Sequence, residues 1–467
     1  MYTIVRKYLK LLLRSTAKAG IVWPLVALYR IIIKEEKPTG GNVPLGKPTI
    51  LVLQSHRFRG DLKCLVDSMQ FRVFILPIQW QDRLLAIFLP SQSSLVKYTR
   101  ANYFHPEGDK QLSTMQAELR TFLKRFLVQL CNKLNIDCVI GACVQYVCDY
   151  DIGLASNEIG VPYIVFHREN IYMPTALKSL ECIYRNMGRF VGSHIIVHNE
   201  DMKNVFIRTG FIDEANISVL GCPRMDDFVR QVRSLDSSVH CAVEPSNRKK
   251  VTLFSFTHAV SIDVTLGGEV VGVDKTEMPD GHFTRKHGKG FQRLFEHVHV
   301  SIAQLAVQNK DVDFVIKPKW GGSWIDEIEH ALIKNNLDIS NINNLHILPD
   351  IDVHDLILQS DVVCGFSSTT ILESAVAGKA VIMPYFDEAL KKEYTDYVEF
   401  KDYFHLFNVA YSIKEFERLI VERLRNPIKI SESQMNGRYA LFEKYVSCMS
   451  GNALDKYVET VNNIIKA

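Results

Sequence analysis

Four consecutive hydroxyl residues, at positions 367–370, separate two apolar segments of the chain. The segment before them, 362–364, is typical of a strand that is buried on both faces. The segment after them, 371–377, is typical of a short helix. A helix N-terminus has backbone N–H groups without partners and a partial positive charge. With hydroxyl donors beside it, this helix start predicts a binding site for an anion, and phosphate is the usual one.

The boundaries of this helix have their own signals. Thr370 and Glu373 have the spacing of a capping box, which predicts that the helix starts just after Thr370. Gly365 is expected to end the preceding strand, and Gly378 is a typical C-terminal stop. The alternative interpretation of the same residues is an ordinary capped helix without a ligand.

A second source of positive charge follows the predicted strand 314–316. Lys317 and Lys319 flank a proline there and precede two glycines. Cations at the end of a strand suit a phosphate or a carboxylate. His258 ends another predicted strand, where a histidine can hold a phosphate or protonate a leaving group. Solvated lysines and a structural histidine are the alternatives.

Carboxylates in the first half of the chain are candidates for nucleophilic or acid–base chemistry. Glu158 and Glu169 lie in adjacent strand–helix units, and Glu169 follows the predicted strand 162–166. Asp226 and Asp227 lie at the end of that half. Ion pairs and helix caps are the usual roles of such residues, and they are the alternative here.

A polar cluster follows the first predicted strand, 49–53. It contains Arg57, Arg59 and Asp61. In open parallel sheets, ligands bind at the carboxyl ends of the strands. The cluster is therefore a candidate binding surface.

The composition is that of a soluble globular protein. The chain of 467 residues is longer than a domain with one ordinary hydrophobic core, so two domains are expected. A net charge of +3 is too small to indicate a nucleic-acid partner. The ten cysteines include no C-x-x-C pair, so we expect neither a metal site nor a disulfide framework. Free cysteines fit a reducing compartment, so we expect a cytoplasmic location.

Strands and helices alternate along the chain, which predicts parallel sheets with right-handed crossovers. The predicted class is α/β, with two Rossmann-like, doubly wound domains that face a cleft and a C-terminal helix that crosses back. The predicted boundaries are 1–40 for a basic amphipathic segment, 41–235 and 245–430 for the two domains, and 431–467 for helices that pack back on the N-terminal domain.

The predicted N-terminal segment combines basic and apolar residues. Basic side chains in the first 18 positions precede the apolar run 21–33, which is too short to cross a bilayer. Such a segment can lie on an anionic membrane, here the cytoplasmic face of an inner membrane. It can equally pack as a helix on its own domain.

Three motifs of the chain resemble those of GT-B glycosyltransferases, in particular those that assemble bacterial surface polysaccharides such as the O-antigen of lipopolysaccharide and capsule. The motifs are GCPRMDDF at 221–228, VIKPKW at 315–320 and SDVVCGFSSTTILESAVAGKAVIMP at 360–384. The resemblance extends over residues 130 to 390. It implies a nucleotide-sugar donor in the second domain, a glycan or lipid-linked glycan acceptor in the first, and no cofactor or metal.

The resemblance also implies roles for individual residues. The implied donor-binding residues are Arg224, Lys317, Lys319, Gly365, Ser367, Ser368, Thr369, Thr370 and Glu373. The implied catalytic residues are Asp226, Asp227, Glu158, Glu169 and His258. The implied acceptor-binding residues are Arg57, Arg59 and Asp61.

Three kinds of relative are the main alternatives within this fold. Poly(glycerol-phosphate) transferases have a similar Ser-Ser turn, and UDP-GlcNAc 2-epimerases share the string HREN, present here at 167–170. Retaining β-Kdo transferases, which use CMP-Kdo, resemble the overall layout best, with an aspartate as nucleophile and a glutamate that serves the acceptor. Transfer of Kdo is therefore the expected activity. A polyol-phosphate transferase, an epimerase-like isomerase and a non-catalytic nucleotide-sugar-binding partner are the alternatives.

Overall fold

A computed structural model describes residues 15–17, 19–58, 60–89, 103–104, 106–172, 174–237, 248–258, 290–319, 321–427 and 429–467. The strands of these residues form one sheet of seven strands and one of six. Each sheet has helices packed on its faces, around its own apolar core. The predicted α/β fold with two doubly wound domains is confirmed.

The N-terminal sheet has the strand order β1-β3-β2-β4-β5-β6-β7. Its strands are β1 (Lys34–Glu36), β2 (Thr49–Leu53), β3 (Arg72–Leu76), β4 (Cys138–Gly141), β5 (Tyr163–Phe166), β6 (His194–Val197) and β7 (Ile217–Val219). All neighbouring strands are parallel except β1 and β3. Every residue of β2, β4, β5 and β6 is buried, which explains their nearly continuous apolar sequences.

The helices of this half lie between the strands. They are α1 (Trp23–Ile32), α2 (Asp61–Asp67), α3 (Ile78–Leu85), α4 (Lys110–Leu134), α5 (Val147–Glu158), α6 (Pro174–Met187), α7 (Glu200–Arg208) and α8 (Asp226–Ser237). The longest, α4, buries Leu119, Leu123, Phe126 and Leu130 at helical spacing. The side chain of Asp109 caps its first turn by accepting the N–H of Leu112.

The C-terminal sheet is parallel throughout its order β10-β9-β8-β11-β12-β13. Its strands are β8 (Lys249–Phe254), β9 (Val312–Lys317), β10 (Leu345–Ile347), β11 (Val362–Gly365), β12 (Ala380–Pro384) and β13 (Asn408–Ala410). Its helices are α9 (Gln292–Gln308), α10 (Ser323–Lys334), α11 (Val353–Gln359), α12 (Thr369–Val376) and α13 (Ile413–Arg425).

The last two helices, α14 (Glu432–Tyr445) and α15 (Ala453–Lys466), lie on different domains. α14 packs against α12, and its buried Arg438 donates hydrogen bonds to the carbonyl of Leu406 at 2.9 and 3.0 Å. α15 crosses back to the N-terminal domain, where Tyr457 donates to the carbonyl of Gly221 at 3.1 Å. α15 therefore packs on the N-terminal domain, whereas α14 packs on the C-terminal domain and also contacts the N-terminal one, where the Tyr445 carbonyl accepts from Asn199 Nδ2 at 3.2 Å.

The described part of the predicted N-terminal segment packs on the domain that follows it. α1 buries Leu25, Val26 and Tyr29, and it packs against α4. β1 adds an antiparallel strand to the edge of the sheet. Residues 1–14 and Lys18 lie outside the described residues. In the part of the chain that the structure describes, no helix has the length and apolar character that a membrane crossing needs.

Candidate functional site

Each sheet has a point at which the strand order reverses. In the C-terminal sheet, β9 and β10 lie on one side of β8, and β11, β12 and β13 lie on the other, so the order reverses between β8 and β11. In the N-terminal sheet the same point lies between β2 and β4. Doubly wound proteins bind ligands outside the carboxyl ends of the strands at such points. The start of α12, directly after β11, occupies this position in the C-terminal domain.

The start of α12 is built by a strained turn and a serine cap. Ser367 has a φ of 47°, in the left-handed region, and its Oγ accepts the N–H of Glu399 at 3.3 Å. This conformation costs a non-glycine residue about 1 kcal/mol, and such strain concentrates at ligand sites. Ser368 is the N-cap, and its Oγ accepts the N–H of Thr370 at 3.4 Å. The helix starts at Thr369, so the predicted start after Thr370 is wrong by two residues.

This helix start keeps hydrogen-bond donors available. The backbone N–H groups of Ser368 and Thr369 donate to no acceptor among the described residues. The side chains of Ser368, Thr369 and Thr370 are partly exposed. The hydroxyls of Ser368 and Thr370 share a 2.9 Å hydrogen bond, so one of these two donors is already used. Two amides and the remaining hydroxyl donors therefore lie at the positive end of the helix dipole, which is the arrangement that receives a phosphate group.

Arg224 brings the N-terminal domain to the same place. Its Nη1 donates to Asp61 Oδ2 at 2.9 Å, and its backbone N–H donates to Asp61 Oδ1 at 3.2 Å. The carboxylate of Glu373, on α12, interacts electrostatically with Arg224. Because Glu373 lies one turn after Thr369 and Thr370, this interaction indicates that α12 lies close to the Arg224 segment of the N-terminal domain.

Glu373 has a different contact from the one predicted. Its buried carboxylate lies 3.5 Å from Nε2 of His354 on α11, and it makes no hydrogen bond to the helix start among the described residues. The capping-box prediction is therefore wrong, because the earlier helix start places Glu373 on the face that meets α11. The ring of His354 also stacks on Phe228 of the N-terminal domain, with centroids 4.3 Å apart.

A pocket of about 200 Å³ lies between the domains beside this helix start. Tyr172 lines it from the N-terminal domain, and Glu399, Phe400 and Tyr403 line it from the C-terminal domain. The hydrogen bond from Glu399 to Ser367 joins the pocket to the turn before α12. Aromatic rings beside carboxylates can pack on a sugar ring and accept hydrogen bonds from its hydroxyls.

Lys317 lies close to this helix start but makes other contacts. Phe254 of β8 pairs with both Lys317 and Gly365, so these two residues lie two strand spacings apart, about 10 Å. The buried ammonium group donates to the carbonyls of Pro318 at 2.9 Å and Pro349 at 2.7 Å. Burial lowers the pKa of Lys317. In this conformation the lysine holds two loops together. Lys319 is exposed on the following turn.

The two aspartates of the GCPRMDDF motif have different environments. Asp226 is buried, and its carboxylate accepts the backbone N–H groups of Ala453 at 3.1 Å and Leu454 at 2.8 Å. It therefore caps α15, and burial raises its pKa. Asp227 is exposed and pairs with Arg230 one turn later on α8. Neither carboxylate is directed into the cleft by these contacts.

The two glutamates lie at opposite edges of the N-terminal sheet. Glu158 ends α5, which runs back from the carboxyl edge of the sheet, and it pairs with Lys124 at 3.1 Å. Glu169 follows β5 at the carboxyl edge and pairs with Arg168 at 3.1 Å. The structure therefore brings Glu169, and not Glu158, to the edge that faces the cleft.

The remaining predicted residues lie around the two reversal points. His258 follows β8, and its Nδ1 lies 3.8 Å from a carboxylate oxygen of Glu327. The guanidinium of Arg57 lies over the ring of Tyr146, 5.5 Å from its centroid, where the loops after β2 and β4 meet. Arg59 lies outside the described residues.

A buried polar group at the carboxyl edge of the N-terminal sheet was not predicted from the sequence. His198 follows β6, Cys222 follows β7, and both lie near Asp61. Burial, as the largest cause, lowers the pKa of His198 and raises the pKa of Cys222, so both side chains are neutral near pH 7. The sequence does contain one indication of this group, since His198 and Cys222 each closely follow an apolar strand.

Comparison with known proteins gives the type of fold. No protein-family model matches the chain, and no curated protein matches it. Among solved structures, a candidate UDP-N-acetylglucosamine 2-epimerase from Listeria monocytogenes is similar, with 11% identity and a TM-score of 0.50 over 90% of this chain and 97% of that one. The fold is of the GT-B type.

Two further structures show the range of the similarity. UDP-GlcNAc 2-epimerase from Neisseria meningitidis, bound to UDP-GlcNAc, is 14% identical over 89% of this chain and 100% of that chain, with a TM-score of 0.46. A UDP-forming α,α-trehalose-phosphate synthase from Burkholderia vietnamiensis is 11% identical over 90% and 100%, with a TM-score of 0.47. Similarity at these identities concerns the fold and not the reaction.

Proposed function

We propose that the protein is a glycosyltransferase, which moves a sugar from a nucleotide donor held by the C-terminal domain to a glycan acceptor held by the N-terminal domain. The observation that carries this proposal is the start of α12, where two backbone N–H groups without acceptors among the described residues lie beside the Thr369 hydroxyl at the reversal point of a doubly wound sheet. The pocket between the domains adjoins the same turn.

The geometry divides the reaction between the two domains. The bond between the anomeric carbon and the phosphate oxygen breaks, and its electron pair leaves with the nucleotide. The N–H groups of Ser368 and Thr369 stabilise the charge that develops on that phosphate. The acceptor hydroxyl forms the new bond and gives its proton to a carboxylate. We assign this role to Glu169, which lies at the edge facing the cleft and is 41% exposed.

The donor sugar that we propose is Kdo, carried as CMP-Kdo and transferred to a surface glycan. Kdo has a carboxylate, which an arginine can bind. Arg224 lies opposite the start of α12, and its contact with Asp61 uses one of its five N–H donors. Incubation with a panel of activated sugars, followed by mass spectrometry of the product, tests this assignment. Addition of another sugar or of a polyol phosphate would contradict it.

One substitution tests the anion site itself. Thr369→Pro removes the N–H donor at the first helical position, where proline fits a helix. The preceding Ser368 has φ −143° and ψ 143°, which is the conformation that a residue before proline prefers. We expect the affinity for the donor nucleotide to fall about tenfold or more, since a hydrogen bond to a charged group contributes about 1.5–3 kcal/mol.

The matched control is Thr369→Val, which keeps the N–H group and removes only the hydroxyl. Calorimetric titration with CMP, CDP and UDP gives the affinities of both variants and of the unaltered protein. Absence of binding by the unaltered protein to all three nucleotides would contradict the proposed function. Equal affinities of the proline variant and the unaltered protein would remove the start of α12 from the donor site.

We further propose that the protein attaches to the cytoplasmic face of an anionic membrane through α1. Trp23 and Ile31 lie two turns apart on one face of this helix and are 68% and 78% exposed. The chain before them is rich in lysine and arginine, which suits anionic lipid. Trp23→Ser with Ile31→Ser should abolish sedimentation with anionic vesicles. Ile333→Ser, which changes an equally exposed isoleucine on α10, should leave it unchanged.

A further inference from the structure

Three side chains with the chemistry of metal ligands converge at the carboxyl edge of the N-terminal sheet. One ligand atom each from Asp61, His198 and Cys222 lies within 4.8 Å of the other two, and all three residues are buried. Asp61 begins α2, His198 directly follows β6, and Cys222 lies three residues after β7. The fold therefore brings together a carboxylate, an imidazole and a thiol from three separate segments.

A second buried histidine borders this group. His167 follows β5, and its backbone N–H donates to Ile196 of the neighbouring β6 at 2.8 Å. Its side chain is fully buried, and neither ring nitrogen has a hydrogen-bond partner among the described residues. Leaving such a group unpaired is unfavourable, and a bound water or ion nearby is one explanation of it in folded proteins.

One distance within the group suits a tetrahedral ion. The Cys222 thiol donates a hydrogen bond to Asp61 Oδ1, with Sγ and Oδ1 3.5 Å apart, and an ion would take the place of the thiol proton. Zinc binds sulfur at about 2.3 Å and carboxylate oxygen at about 2.0 Å, and a tetrahedral angle then separates the two ligands by about 3.5 Å. Arg224 donates from its side chain to Asp61 Oδ2 and from its backbone N–H to Oδ1, and so fixes the carboxylate with Oδ1 towards the thiol. Ligating carboxylates are commonly held by an outer hydrogen bond of this kind.

The proposed ligands can themselves balance the charge of a divalent ion. The Cys222 thiolate and the Asp61 carboxylate carry two negative charges, and the neutral imidazole of His198 adds none. The two positive charges of the ion would therefore be compensated by its own ligands, as buried charges require.

We propose that Asp61, His198 and Cys222 bind one divalent transition-metal ion, and that the ion is zinc. Magnesium and calcium prefer oxygen ligands, whereas zinc accepts sulfur, nitrogen and oxygen together. Three protein ligands leave the fourth position for a water molecule. The ion joins α2 to the segments after β6 and β7, and it holds Asp61 in the orientation that positions Arg224. This proposal does not depend on the identity of the sugar donor.

The metal content of the full-length protein tests the proposal. The protein is purified without a nickel column or a chelator, and its metals are measured by plasma mass spectrometry. We expect about one zinc per chain, and less than about a tenth of that in Cys222→Ser and in His198→Gln. Cys182→Ser, which changes a cysteine on α6 outside the group, is the matched control and should retain the metal.

Cobalt substitution gives a second measurement on the unaltered protein. Cobalt bound to a thiolate has a charge-transfer absorption in the near ultraviolet, which should appear in the unaltered protein and in Cys182→Ser and be absent in Cys222→Ser. Metal-free unaltered protein that also shows no such band would overturn the proposal, as would zinc that persists in Cys222→Ser. If Cys222→Ser does not fold, two other results test the proposal. The cobalt band of the unaltered protein and the loss of zinc in His198→Gln would support it, and absence of either would contradict it.

Discussion

The two sheet edges that face the cleft differ in whether their polar groups are already hydrogen-bonded within the protein. At the edge of the N-terminal sheet, Asp61 accepts hydrogen bonds from the backbone and the side chain of Arg224. At the edge of the C-terminal sheet, the start of α12 leaves the N–H groups of Ser368 and Thr369 without acceptors among the described residues. At the first edge, which we call the closed edge, Asp61 and Arg224 are paired with each other, whereas at the second, which we call the open edge, the two amides are available to a ligand.

The turn after one strand of each reversal point shows the same difference. Gln54, after β2, and Ser367, after β11, both have left-handed backbones, with φ of 48° and 47°. The buried side chain of Gln54 donates to Asp149 at 2.9 Å. Ser367 instead leads into three partly exposed hydroxyl residues. Similar backbone strain therefore supports a buried contact in one domain and an accessible helix start in the other.

The comparison predicts that substitutions at the closed edge cost stability. Arg224→Leu would leave the buried carboxylate of Asp61 with the backbone N–H of position 224 and the Cys222 thiol as its partners among the described residues. We expect the free energy of unfolding to fall by about 3 kcal/mol, the lower end for a broken buried pair, because the Arg224 side chain is 25% exposed. Urea unfolding in EDTA measures this change without a contribution from bound metal.

At the open edge, Thr369→Val should change the same free energy by less than about 0.5 kcal/mol. This side chain makes no hydrogen bond among the described residues. Equal losses in the two variants would show that the edges do not differ as proposed.

Acid is expected to lower the free energy of unfolding by a smaller amount, because a buried histidine packs beneath the open edge. His299 shares a 2.8 Å hydrogen bond with Ser255, which directly follows β8, and burial lowers the pKa of His299 to about 4. The unfolded chain takes up this proton near pH 6.5, so between pH 6.5 and 4 it binds more protons than the folded protein. Stability therefore falls as the pH falls through this range, by about 2 kcal/mol at pH 5 for this one group.

Urea unfolding at pH 7 and pH 5 measures this dependence. His299→Gln should be less stable at pH 7 and should lose less stability on going to pH 5. If the variant and the unaltered protein lose the same free energy of unfolding between pH 7 and pH 5, the acid sensitivity belongs to other groups.

The smallest effects concern the adjacent aspartates 226 and 227. Asp226→Ala removes two hydrogen bonds from the start of α15, and we expect a loss of about 1 kcal/mol and faster amide exchange in this helix. Asp227→Ala removes an exposed ion pair and should cost less than about 0.5 kcal/mol. Faster exchange of α15 in both variants would contradict the assignment of the cap to Asp226 alone.

Much of the fold could be predicted from the sequence, because strands buried on both faces have continuous apolar sequences. The predicted strand at 49–53 coincides with β2, and the predicted strand at 162–166 contains β5. β1 could not be predicted, because its three residues, Lys-Glu-Glu, are exposed and only its backbone pairs with β3. Its place in the sheet depends on tertiary structure rather than on an apolar pattern.

Less of the site could be predicted, since it depends on contacts between distant segments. The hydroxyl residues before α12 could be found because they are consecutive in the sequence. The role of Asp226 could not, because the amides that it caps lie more than two hundred positions later. The cluster of Asp61, His198 and Cys222 likewise has no short spacing that a motif could describe.

The two final helices have a consequence for how the cleft can open. The chain joins the domains once between α8 and β8, and again between α14 and α15, where Ser447 Oγ accepts the N–H of Cys222 at 3.0 Å. Two chain connections restrict the relative movement of the domains more than one would, and rotation about the line through both is restricted least. Opening and closing would then favour this axis, and closure would return the start of α12 to the region of Arg224.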